Sequence, residues 1–171
     1  MDNDFLASLQ KLELLAFFSG YPVIYTVVLF FAGKKKSVSQ AVALLPFSYA
    51  LTGTLFLGFQ FRKLYPDYSI ENISHHIQLP YLLIWALLSL FFWIPALAKK
   101  TSLSLFHGLV FFLLVANDVV TRLLSSSPDN DIVANDMKVY AFSLILNLGT
   151  LAVLVLSFFL RGFFKSLKRD V

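Results

Sequence analysis

The chain has 171 residues, 58% of them hydrophobic, 16% aromatic and only 14% charged, with a formal charge of +4 and no cysteine. Soluble domains carry about 45 to 50% apolar and about 25% charged residues, so this is the composition of a membrane protein. The absence of thiols excludes disulfides, thiolate metal sites and cysteine nucleophiles.

The opening segment "MDNDFLASLQ" is acidic where a secretory signal is basic, and no small-residue cleavage site follows the first apolar run. That run is therefore expected to be a retained first helix. A bilayer crossing needs roughly 20 mainly apolar residues, and five stretches qualify: Leu12 to Gly33, Ser39 to Phe61, Leu79 to Ala98, Ser102 to Leu124 and Lys138 to Leu160. The connections are short, which predicts a single all-α, polytopic domain over the whole chain.

Pro22, Pro46 and Pro95 fall in the first three spans, where a proline usually kinks a helix. The second span carries Ala50, Thr54 and Gly58 at intervals of four, a small-residue stripe that suits close packing inside the bundle or a dimer seam. Ile70, Ile73 and Ile77 suggest a short surface helix in the loop that follows, with His75 and His76 turned away from its apolar side and a chance-prone glycosylation triplet at Asn72-Ile73-Ser74. The third span has Ser89 as its one clearly polar interior residue and reads as lipid-facing.

The fourth span holds the chemistry. At 100° per residue, Ser104, His107, Phe111, Leu114, Asp118 and Arg122 form one stripe with Asn117 beside it. Asp118 precedes Arg122 by four residues, the favourable order for a helical ion pair. It lies six residues before Leu124, or roughly 9 Å from the helix end at 1.5 Å per residue. In the fifth span Tyr140, Ser143, Asn147, Thr150 and Ser157 share a face, and antiparallel packing would bring Asn147 to nearly the depth of Asp118. Glu13, Gln60, Arg62 and Lys138 fall at the same level.

Lys and Arg in short loops stay cytoplasmic. With the N-terminus outside, the inner side holds Lys34, Lys35, Lys36, Lys99, Lys100, Arg161, Lys165, Lys168 and Arg169, nine of the 14 basic residues, and the outer side keeps Lys11, Arg62, Lys63, Arg122 and Lys138. An outside N-terminus and a cytoplasmic C-terminus follow. The basic clusters are a topological signal rather than a nucleic-acid surface, since stacking aromatics on a soluble basic face are missing.

His107 near one membrane face and His75 with His76 beyond the other are too far apart for a bis-His haem or a three-His zinc site. Ser104 and His107 on one helix make a weak dyad, with no acid or oxyanion donor beside them. No cofactor, metal or catalytic group is therefore expected. The sequence points to a non-catalytic binding or assembly subunit of a membrane, assigned to a bacterial cytoplasmic membrane from its compactness. Asn117, Asp118, Arg122 and Asn147 are its candidate site, facing a one-sided outer cavity, and Tyr65, Tyr68 and Tyr81 are its partner surface. Besides the lipid bilayer, the expected partner is a membrane protein or a second copy of the chain. The same four residues would also serve a small transporter or channel component, and a purely structural cluster is the third reading.

Overall fold

Pro22 has no amide hydrogen to give to the carbonyl of Phe18, and its ring crowds the preceding turn. In the computed structural model, which describes residues 3–32, 36–69, 77–124 and 130–167, the first crossing is accordingly two helices. Helix α1 runs Asn3–Phe18 and α2 runs Tyr21–Ala32, with Ser19 and Gly20 forming the turn between them. Pro46 is accommodated differently: α3 continues through it from Lys36 to Leu64.

The third predicted span is not one α-helix. It is built from α4 (Pro80–Leu87), a 3-10 segment (Leu88–Trp93) and the single turn α5 (Pro95–Ala98). Ile94 adopts φ −76° and ψ 118°, the extended backbone that a following proline imposes by clashing with the α conformation. Helix α6 spans Thr101–Leu123 and α7 spans Asn130–Leu167. Much of the predicted acidic loop before the fifth span is thus helix.

Every regular element among the described residues is helical. Four runs are long and apolar enough to cross a membrane: Phe5–Phe31, Ala41–Leu64, Thr101–Thr121 and Met137–Arg161. Pro80–Trp93 is a shorter apolar helix. The predicted surface helix around Ile70, with His75, His76 and the Asn72 triplet, lies outside the described residues.

Helix α3 is the packing centre, touching α2, α7, the 3-10 segment and α6. The core is aromatic: Phe18, Tyr21, Tyr49, Phe56, Phe92 and Phe111 are buried. Phe18 stacks on Phe111 at 5.0 Å and meets Phe56 edge-on at 5.3 Å, while Tyr21 and Tyr49 lie 4.2 Å apart. Such pairs contribute about 0.5 to 1.5 kcal/mol each beyond burial, which suits a bundle surrounded by lipid as apolar as its own aliphatic side chains. The predicted Ala50, Thr54 and Gly58 stripe does not form one seam. Ala50 is buried, Thr54 accepts a hydrogen bond from Trp93 Nε1 at 3.0 Å, and the space beside Gly58 is open. The close approach is at Gly53 instead, against Ser89, because Gly53 shares the buried face with Ala50 and Thr52.

Candidate functional site

Three polar residues in the middle of α1 point in different directions, since successive helical positions are about 100° apart. Gln10 Oε1 accepts the amides of Gln78 and Leu79 at 2.8 and 2.7 Å, fixing the chain just ahead of α4, whose N-cap residue Leu79 makes no side-chain cap. Glu13 receives Lys63 of α3 at 2.8 and 2.9 Å. Lys11 reaches Asp118 of α6, with Nζ 2.7 and 2.8 Å from the two carboxylate oxygens. This pair sits at the bundle rim, its side chains 32% and 22% exposed.

Lys11 is thus a partner of Asp118 that helical periodicity did not supply. The side chain of Arg122, the predicted partner, lies outside the described residues, although its backbone belongs to the last turn of α6. Asn117 is exposed beside Asp118. Their one-residue offset sends the two side chains to different surroundings, as the spacing predicts. The outer cavity expected next to Asp118 amounts to about 10 Å³, lined by Leu12, Leu15, Val115 and Val139, room for about one water.

Asn147 belongs to a second cluster deeper in the bundle. Its Nδ2 donates to the carbonyls of Phe17 and Ser143, both at 2.8 Å. Its Oδ1 accepts from Thr52 Oγ1 at 3.3 Å, and Thr52 also meets Thr150 Oγ1 at 3.2 Å. Ser143 Oγ takes the amide of Gly20 at 2.8 Å. The group is buried throughout: Ser143 and Thr52 have no exposure, and Asn147 only 1%. It repairs the break in the first crossing, because the turn at Ser19 and Gly20 interrupts the α-helical hydrogen-bond ladder and α7 supplies side chains in its place. The approach is close enough that a β-carbon on Gly20 would lie 2.6 Å from the backbone nitrogen of Leu144. Asp118 and Asn147, predicted to share one cluster, therefore serve two. The stripe on α7 holds for Ser143, Asn147 and Thr150, whereas Tyr140 is half-buried and Ser157 turns outward to its own helix at Val153.

A third arrangement centres on His107. Its Nε2 lies 2.7 Å from the carbonyl of Trp85, which can only accept, so that nitrogen carries the proton. Nδ1 is 2.7 Å from the Tyr49 hydroxyl, so the ring is held from both sides. The Trp85 indole lies flat on the imidazole at 4.8 Å with 4° between the planes, and its Nε1 donates to the His107 carbonyl at 3.3 Å. Ser104 is given to another tyrosine: its Oγ pairs with Tyr21 Oη at 2.7 Å. The two candidates for a Ser-His dyad are therefore held by different partners. Among the described residues no group of three His, Cys, Asp or Glu side chains is placed to hold a metal.

The residues missed by sequence reasoning are Gln10, Lys11, Tyr49, Thr52 and Trp85. The run Gln10-Lys11-Leu12-Glu13 at the edge of an apolar span was a visible signal that something must receive those side chains. For Tyr49 and Thr52 the signal was position, since they lie on the face of α3 opposite the open side at Gly58. No family model, curated protein or solved structure matches this chain.

Proposed function

We propose that the chain is a non-catalytic binding or assembly subunit of a bacterial cytoplasmic membrane, crossing it five times with its N-terminus outside and its C-terminus in the cytoplasm. The observation that carries the reading is a contrast in how polar groups are used. The donors of Asn147 are consumed inside the bundle, whereas Asn117, Asp118 and Lys11 keep exposure at the rim. Asn117, Asp118 and Arg122 are the residues we assign to the partner surface, and we add to it Tyr65, Tyr68 and Tyr81, whose rings are exposed; Asn147 supports them through the fold. A membrane protein or a second copy of the chain is the partner.

Two contacts support a fifth crossing. Gln10 holds Leu79 at one end and Tyr25 Oη donates to Thr101 Oγ1 at 3.2 Å at the other. Residues 79 to 101 therefore run the distance between Gln10 and Tyr25, roughly 22 Å at 1.5 Å per residue. The chain covers that distance as α4, the 3-10 segment and α5, broken at Ile94, rather than as one straight helix. Between His107 and Asp118 the stripe of α6 is Phe111, which is buried, and Leu114, which is half-buried; both are apolar, which favours binding over a polar transport path.

Reporter fusions after Lys36 and Lys100 should read as cytoplasmic, and fusions after Asp67 and Asp131 as external. The full chain, purified in mild detergent from its native membrane, should bring down a stoichiometric partner or its own copy, and Asn117→Leu should lose that partner without a change in melting temperature. Inverted reporters would overturn the topology. Unchanged association in Asn117→Leu and Asp118→Asn would overturn the rim as the binding surface.

A further inference from the structure

An open groove of about 460 Å³ runs between the α4 to α5 stretch and the first half of α6. Phe92 and His107 form its floor, and Phe91 and Phe106 stand out as walls, 54% and 68% exposed. Leu97 and Leu103 line the groove near the turn between α5 and α6. A second recess, of about 360 Å³, lies between Phe47 of α3 and the residues Pro95, Ala98 and Lys99. The single turn α5 separates the two, with Leu97 on one side and Ala98 on the other.

Lys99 itself lines the smaller recess, and the groove reaches Leu97 and Leu103, which lie on either side of the turn that carries Lys99 and Lys100. Both lysines are exposed, and neither ammonium makes an ion pair or a hydrogen bond among the described residues. Helix α6 begins immediately afterwards at Thr101, adding the partial positive charge of a helix N-terminus. Two apolar slots thus converge on two unpartnered cations. A soluble anion would leave the slots unfilled, and an apolar helix would leave the lysines unmatched.

We propose that these slots and the Lys99-Lys100 turn form a site for one anionic phospholipid, with its two acyl chains on either side of α5 and its phosphate at the lysines. The chains gain little by leaving bulk lipid, which is equally apolar, so selectivity rests on the headgroup. A lysine near a membrane surface contributes about fivefold in binding, and the pair about thirtyfold. This site is independent of the outer rim and of whatever partner binds there.

The test offers the purified full chain an equimolar mixture of phosphatidylglycerol and phosphatidylcholine in mild detergent and reads the retained lipid by native mass spectrometry. Wild-type protein should retain phosphatidylglycerol about thirtyfold over phosphatidylcholine, and the double variant Lys99→Gln with Lys100→Gln should retain the two near parity. Val110→Trp, which fills the larger slot, should retain neither; if that variant does not fold, Leu103→Trp at the groove edge serves the same purpose. Equal retention by the wild type overturns the site. So does a preference that survives in the double glutamine variant or in a folded groove-filled variant, or a stoichiometric protein chain found in the groove in place of lipid.

Discussion

The knot around Asn147 and the rim around Asp118 both tie α1 to later helices, yet they use opposite chemistry. The knot is buried and uncharged, made of amide, hydroxyl and backbone groups that each find a partner. The rim uses full charges, but only where its side chains keep a fifth to a third of their exposure. The cost of stripping solvent explains the division. A charged residue at mid-bilayer costs about 2.5 to 3.5 kcal/mol on insertion scales, whereas an interhelical hydrogen bond between neutral groups contributes about 0.6 kcal/mol and at most about 1.7. Depth decides which chemistry holds the helices together.

The strongest way to break this comparison is to move charge into the knot. Asn147→Asp replaces the donor that serves the Phe17 and Ser143 carbonyls with a carboxylate that can only accept. It should lower stability by about 3 kcal/mol, read as a fall in detergent melting temperature and in folded yield. The neutral Asn147→Leu should cost less, up to about 1.7 kcal/mol. If both substitutions cost the same, charge is not what the knot excludes.

Space gives a second, somewhat smaller effect. Gly20→Ala forces a methyl group against backbone of α7 that cannot rotate away, and overpacking of this kind costs about 1 to 3 kcal/mol. Gly58→Ala, where nothing lies within 4 Å of the new carbon, should leave the melting temperature level or raise it slightly through helix propensity. Equal losses at the two glycines would show that α1 does not approach α7 as closely as described.

The rim should give the smallest effect and the clearest coupling. Lys11→Met removes the cation from Asp118 and should cost more than Asp118→Asn, and the double change should recover part of the loss. The coupling expected for a partly exposed pair is about 0.2 to 1 kcal/mol, measured from a double-mutant cycle of melts at low and high salt. Strict additivity would dissolve the pair. A coupling as large as the effect at Asn147 would erase the distinction between rim and knot.

Periodicity made one side of each contact readable. The face of α7 that carries Ser143, Asn147 and Thr150 was visible, as was the inward stripe of α6 through Ser104, His107 and Phe111. The other side was not, because the partners Phe17, Thr52 and Lys11 are 130, 95 and 107 residues away in the chain. Spacing within one helix finds neighbours three and four residues apart and no others, which is why it offered Arg122 to Asp118 and left Lys11 unseen. Pro95 announced a break, but the 3-10 geometry before it reflects packing against α3, where Gly53 lets Ser89 approach. Gly58 looked like the contact glycine for the same reason: a four-residue interval records a helix face without recording which face is covered.

Lys11 and Glu13 of α1 also set a schedule. The first helix is made first, and Lys11 meets Asp118 only after 107 further residues have been added, about 5 to 20 s at ordinary rates of synthesis. Glu13 waits for Lys63, 50 residues on. During that interval Lys11 and Glu13 are ions without those partners, and since lipid solvates charge poorly a newly made α1 would hold them where water can reach. Such a helix would seat fully only as α3 and α6 arrive, its own charges opposing early burial.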